Sequence, residues 1–245
     1  MDTVLIRERY KVVQVLWSEP DYALVEAVDI QERETPSRLI NLYEGQLLHR
    51  YGRICADIRP EECPAFRGMF LCGDTLAVVF DSCGGAEIDQ VFYKGDQWCW
   101  QDRLDYAELV LHQALQLANL PMEVACAAML SENVLIDTTQ RQVQLRYMLR
   151  PLPEMNPREL ALLAGDQVKK ILPRRRTALE AEWAFRDELE QGLFHSVVAL
   201  YARWRETQRD IWQQQEEFEA KNLVSRGLTL LKIWLKRWKT RRERL

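Results

Sequence analysis

The chain lacks the usual signatures of zinc-binding, exported and membrane-spanning proteins. Its six cysteines, Cys55, Cys63, Cys72, Cys83, Cys99 and Cys126, form no C-x-x-C pair, and the three histidines, His49, His112 and His195, lie far apart. Zinc-finger spacing is missing, and no metal is expected. No apolar run approaches the ~20 residues of a membrane span. The opening residues, Met-Asp-Thr-Val-Leu-Ile-Arg-Glu-Arg, hold no apolar stretch of the signal-peptide kind. Reduced thiols and a cytoplasmic setting are therefore expected. Internal repeats are absent as well, and a net charge of only −4 gives no global pull toward nucleic acid or anionic membrane.

What is present is ordinary globular material. The 245 residues are 47% hydrophobic and 29% charged, enough for one large domain or two small ones. The charge is unevenly spread. From Lys232 to the end there are seven Lys or Arg against one acid, Glu243, so the rest of the chain is distinctly acidic.

Residues 1–92 read mainly as strands. Tyr10–Trp17 is rich in β-branched and aromatic residues, Ser18-Glu-Pro-Asp21 is turn chemistry, and Tyr22–Asp29 completes a hairpin. Arg38–Tyr43 is a third strand. Leu47, Leu48, Tyr51 and Ile54 recur at helix spacing and predict a helix over 44–59. Phe66–Leu71 and Thr75–Phe80 flank a Gly73-Asp74 turn as a second hairpin. Gly84-Gly85 breaks the chain. Leu104, Ala107, Leu111, Leu115 and Ala118 mark the face of a helix over 100–119, and Leu120-Pro121 either stops it or starts the next turn. Asn133–Ile136 and Val143–Met148 form a short hairpin. Asn156-Pro157 is a cap followed by proline at the first helical position. Pro173-Arg-Arg-Arg176 is a basic break, and Leu179–Leu245 reads as long helices interrupted near Ser225-Arg-Gly227. Strands followed by helices predict an α+β fold.

Ser131-Glu132-Asn133-Val134-Leu135-Ile136-Asp137 resembles the "P-E-N-V-L-I-D" that closes the catalytic loop of a protein kinase. The element order around it is similar to that family over about residues 8–150 and more loosely to 200. The resemblance implies a two-lobe fold: a β-rich N-lobe (1–85), a reduced helical C-lobe (86–200) and a helical tail (201–245). It also implies where kinase chemistry belongs. The Gly-rich-loop slot holds Trp17-Ser-Glu-Pro-Asp21-Tyr22, with no glycine. The lysine slot of the third strand holds Asn41 or Tyr43. "H-R-D-L-K-P-E-N" aligns with Cys126–Asn133, placing Ala128 at the base Asp and Leu130 at the Lys; Asn133 is retained. The "D-F-G" slot falls near Tyr147-Met148-Leu149, so the metal-binding Asp is missing. An asparagine alone is a weak magnesium ligand. Arg150-Pro-Leu-Pro-Glu154 leads directly to a helix at Pro157–Ile171, leaving no room for an activation segment.

These degenerate positions imply a pseudokinase-like scaffold that binds a protein partner and uses no nucleotide or other cofactor. A divergent small-molecule kinase would need the glycines, lysine and aspartates that are missing. Cys126 reads as a small buried hydrophobe, and Asp102, Asp105 and Glu108 as acids favourable to a helix start. In the tail, Leu231, Trp234, Leu235 and Trp238 recur at i, i+3, i+4 and i+7, with Lys232, Lys236, Arg237, Lys239, Arg241, Arg242 and Arg244 on other faces. This basic amphipathic pattern suits an anionic membrane surface or a partner groove; it equally suits a last helix packed on its own domain. Architecturally it is similar to the cytoplasmic pseudokinase domains of bacterial type VII secretion components, which precede a basic juxtamembrane segment. A peripheral position at the inner face of the membrane is the expectation that follows.

Overall fold

A computed structural model of the chain describes residues 4–93, 95–172 and 178–243, with side chains of 237 and 239–243 excluded. The basic break at 173–176 lies outside the described residues. A six-stranded antiparallel sheet comes first, in the order β1-β2-β3-β4-β6-β5. Its strands are β1 (Leu5–Ile6), β2 (Tyr10–Glu19), β3 (Tyr22–Asp29), β4 (Ser37–Tyr43), β5 (Phe66–Cys72) and β6 (Thr75–Asp81). Helix α1 (Gly45–Ala56) follows β4. Pro20 and Asp21 make the first hairpin turn, Asp21 taking a left-handed φ of 63°, a conformation that aspartate tolerates.

The inner strands bury both faces, so their period-2 alternation separates two clusters. Tyr22, Leu24, Leu39, Tyr43, Leu76, Val78 and Phe80 face the main core. Val25, Ala27, Ile40, Ala77 and Val79 face a small outer cluster with Tyr10 and Ile6. Asn41 lies between Leu39 and Tyr43 on the inner side of β4, which sets up the site described below.

After Gly85 come β7 (Ala86–Glu87) and α2 (Ile88–Val91), then α3 (Trp100–Leu117), α4 (Met122–Ala128), β8 (Val134–Asp137) and β9 (Gln142–Leu145). Strands β7, β8 and β9 form a second small sheet. The C-terminal helices are α5 (Pro157–Ile171), α6 (Glu180–Glu190), α7 (Val197–Glu219) and α8 (Leu223–Glu243). Helix α5 starts with a full capping box: Asn156 accepts from the Glu159 amide, and the Glu159 carboxylate accepts from the Asn156 amide.

Of the two roles open to Leu120-Pro121, the structure takes the second: Pro121 is the N-cap of the helix over 122–128. Three sequence expectations change. Ala118 caps α3 and is exposed, and Ala114 takes its place in the core. The break near Ser225-Arg-Gly227 falls instead at 220–222, where the Asn222 side chain accepts from the Ser225 amide and restarts the helix, leaving Gly227 inside α8. Helix α7 runs without interruption through residues 200 and 201 and buries Trp204, Thr207 and Ile211.

Candidate functional site

The site is the seam between the sheet and the helical lobe, where the kinase resemblance places nucleotide. Residues 147–152 run through it as extended chain and are bound from both sides. From the sheet, the Asn41 Nδ2 donates to the Tyr147 carbonyl at 3.0 Å, and the Leu149 amide donates to Asn41 Oδ1 at 2.8 Å. The Tyr22 hydroxyl donates to the same Oδ1 at 3.0 Å, so the fully buried carboxamide accepts two bonds and donates one. One turn of pleat further on, the Tyr43 hydroxyl donates to the Leu149 carbonyl at 2.7 Å. Both alternatives for the lysine slot, Asn41 and Tyr43, thus bind the stretch aligned with the metal-binding aspartate.

Helix α1 contributes Tyr51. Its hydroxyl accepts from the Leu152 amide at 3.1 Å and donates to the Arg150 carbonyl at 3.4 Å. The Tyr51 and Tyr43 rings stack with centroids 4.2 Å apart, and Tyr43 meets Tyr22 at 5.3 Å. An active kinase places a lysine–glutamate ion pair between strand and helix here; α1 carries no carboxylate at all. On the far side Tyr147 stacks on Phe80 at 4.8 Å, with Cys63 close to its hydroxyl. Burial pushes the hydroxyls of Tyr22, Tyr43 and Tyr147 far above the ordinary phenol range, so these groups stay neutral.

From the helical lobe, Asn133 closes the other side. Its Nδ2 donates to the Ala127 carbonyl at 2.7 Å and to the Met148 carbonyl at 3.1 Å. Asn133 therefore ties the end of α4 to the 147–149 stretch, while β9 is held on α3 by Gln113. Ala128 and Met129 are fully buried. Leu130 is half-buried and lies in the turn that leads to Asn133, whose amide donates to the Leu130 carbonyl. The surroundings of Asn133 do not fit a magnesium ion. Its Oδ1 has no partner, yet neither Ala128 nor Tyr147 adds a carboxylate beside it, and magnesium takes carboxylate, phosphate and water oxygens. Among the described residues no group of three or more His, Cys, Asp or Glu is placed to hold a metal.

The hairpin tip aligned with the Gly-rich loop is fastened as well. The Arg150 guanidinium sits over the Trp17 ring at 4.7 Å and pairs with Glu132. The sequence singled out Tyr147 and Asn41 separately; it gave no sign that Tyr22, Tyr51, Arg150 and Leu152 join them. Hydroxyl-bearing inner-face positions at 22, 43 and 51 were the available signal.

Elsewhere, Cys126 is buried with its thiol pushed up to about 12 by burial, so it has no nucleophilic character. Glu108 is a clamp rather than a helix-start charge: it accepts from Tyr201 at 2.8 Å and Arg205 at 3.0 Å and from the Trp204 indole, binding α7 to α3. His112 is exposed and shares a 2.8 Å bond with Tyr201. A concavity of about 320 Å³ opens between α3 and Arg141, lined by Asp105, Tyr106, Glu108, Leu109 and His112. Of the tail residues, Leu231, Trp234, Leu235, Trp238 and Lys236 are exposed on α8. The side chains of Arg237, Lys239, Arg241 and Arg242 lie outside the described residues. No helix among the described residues is long and apolar enough to cross a membrane.

No sequence-family model matches the chain, and no curated protein sequence does. Solved structures do. Two double mutants of the Mycobacterium tuberculosis PknI kinase domain are similar at TM-scores of 0.54 and 0.52 with 13% and 14% sequence identity. The likeness covers 88% and 87% of this chain and 99% and 98% of theirs. At that identity it establishes the fold alone: the chain has an α+β, protein kinase-like architecture.

Proposed function

We propose that this chain is a catalytically inactive, pseudokinase-like module that acts by binding protein. One observation carries the reading: Asn41, from the lysine slot, is bonded to Tyr147 and Leu149, from the metal-aspartate slot. In a working kinase those two slots face each other across nucleotide phosphates and magnesium. Here they face each other directly, with no charged group between them. A buried amide that satisfies two backbone groups favours the closed arrangement by more than a surface contact would. The kinase shape then serves as a rigid frame, and its outer surfaces are what a partner meets.

The experiment is affinity capture with the full chain, with and without ATP and magnesium, followed by radiolabelled phosphate transfer on the captured proteins. The expected result is a partner set unchanged by nucleotide and no incorporated label. Label that depends on this chain would overturn the proposal.

A second function is favoured by a specific observation. Leu231, Trp234 and Leu235 on α8 are about half exposed, although Lys236 of the same helix pairs with Glu180 of α6. This supports peripheral association with a membrane through the tail.

A further inference from the structure

We infer that α8 is an interfacial helix that seats its Leu–Trp face in an anionic lipid surface. The inference deepens the membrane reading above and is independent of the state of the cleft.

The stripe is continuous. Val224, Leu228, Leu231 and Leu235 recur at alternating steps of four and three residues, with Trp234 beside them, so they share one side of the helix. Leu231, Trp234 and Leu235 remain 52%, 48% and 49% exposed, and Val224 and Leu228 more so. Single exposed apolar residues need no explanation, but a row of them along several turns marks an interaction surface. Lys232 follows a stripe leucine by one position and is exposed along its border; Lys236 holds the same place after Leu235 and is paired with Glu180 of α6. Long lysine stems of this kind lie along apolar surface and carry the ammonium to a polar boundary. Tryptophan belongs at the same boundary, its ring apolar and its N–H wet.

The same spacing also suits a two-stranded coil with a second copy, and charge decides between the two. Between Asn222 and Arg242 there is no acidic residue. Helices that pair side by side are favoured by opposite charges flanking the seam and opposed by like ones. Two copies of α8 would bring only cations together, whereas a layer of anionic headgroups complements them throughout. Helix α8 starts at the capped break of 220–222, just after the Trp100 indole bonds Glu219 at the end of α7, and Lys236 ties it to Glu180 of α6 while the leucine stripe stays exposed.

The test uses the full chain in co-sedimentation with vesicles of phosphatidylcholine alone and of an equimolar phosphatidylcholine–phosphatidylserine mixture. Binding is expected to the mixed vesicles only, weakening as sodium chloride is raised. Lys232→Gln is expected to weaken it about fivefold. The Leu231→Glu/Leu235→Glu double variant, which changes no buried residue, is expected to abolish it while circular dichroism stays unchanged. Equal binding to both vesicle types, or binding that survives the double variant, would overturn the inference. So would a concentration-dependent dimer that the double variant abolishes in a chain that ignores vesicles; that result assigns the face to a second copy. Nucleotide binding by a chain that still pellets with anionic vesicles would count against the inactive cleft and not against α8.

Discussion

The Leu149 amide donates a 2.8 Å hydrogen bond to Asn41 Oδ1, joining residues 108 positions apart across the seam of the two lobes. Asn41 and Tyr43 are the two residues that the resemblance puts at the nucleotide-binding lysine, and Leu149 lies near the position of the metal-binding aspartate. Both side chains hold the chain's own backbone.

Asn41→Ala removes three hydrogen bonds and leaves the Tyr147 carbonyl and Leu149 amide buried without partners. A loss of about 3 kcal/mol is expected, read as a lower urea midpoint. Asn41→Lys restores the kinase residue type but places an unpaired ammonium among Tyr22, Tyr43 and Leu149. It is expected to destabilise at least as much and to gain no nucleotide affinity. A stable, ATP-binding Asn41→Lys variant would show that the seam opens.

Much of the fold was legible because it is local. The first hairpin, the helix after the third strand, the 73–74 turn and the Asn156-Pro157 cap are written in neighbouring residues. Helix α4 was harder to read: its last residues, Cys126–Ala128, fall on the stretch aligned with the kinase catalytic loop, and its small residues carry little periodicity. The seam was hidden for another reason. That Asn41 lacks a positive charge is visible in the sequence; that it bonds Tyr147 depends on two segments more than a hundred residues apart. The tail gave equal support to packing and projection, since an amphipathic helix needs an apolar partner but does not specify whether its own domain supplies it.

Glu108 gives a pH signature. Burial raises its pKa, but hydrogen bonds from Tyr201, Trp204 and Arg205 outweigh this and hold the carboxyl below its ordinary value. A carboxylate depressed in the folded state stabilises the protein fully above its unfolded pKa of ~4.3, and that stability is lost as pH falls through the lower folded value. Glu108→Gln is expected to cost about 1–3 kcal/mol near neutrality. The difference from the parent chain should shrink in urea titrations as pH drops below ~4.3. A difference constant with pH would remove the charge from the explanation.

Gly84 and Gly85 separate backbone need from composition. Gly85 has φ of 142°, and a Cβ there would lie 3.0 Å from Leu135 Cβ and 3.1 Å from the Ile136 carbonyl. At Gly84 a Cβ meets nothing within 4 Å. Gly85→Ala is expected to lower stability by about 2 kcal/mol, and Gly84→Ala to change it by less than about 0.5 kcal/mol. Thermal melts of the two variants read this directly.

Arg150 fastens the first hairpin through Trp17 and Glu132. Arg150→Ala is expected to cost about 1 kcal/mol, because both partners are partly exposed. Its larger effect should be local: faster amide exchange over 14–24, with the rate over α3 unchanged. Uniformly faster exchange would mean that Arg150 supports the whole domain.

The most direct measurement is a thermal shift of the unaltered chain in ATP with magnesium, each at millimolar concentration. Any ligand that binds the native state raises the melting temperature. With residues 147–152 bonded into the seam by Asn41, Tyr43, Tyr51 and Asn133, the melting temperature should not move. A saturable rise of several degrees would contradict the filled cleft and return the chain to the nucleotide-binding kinases.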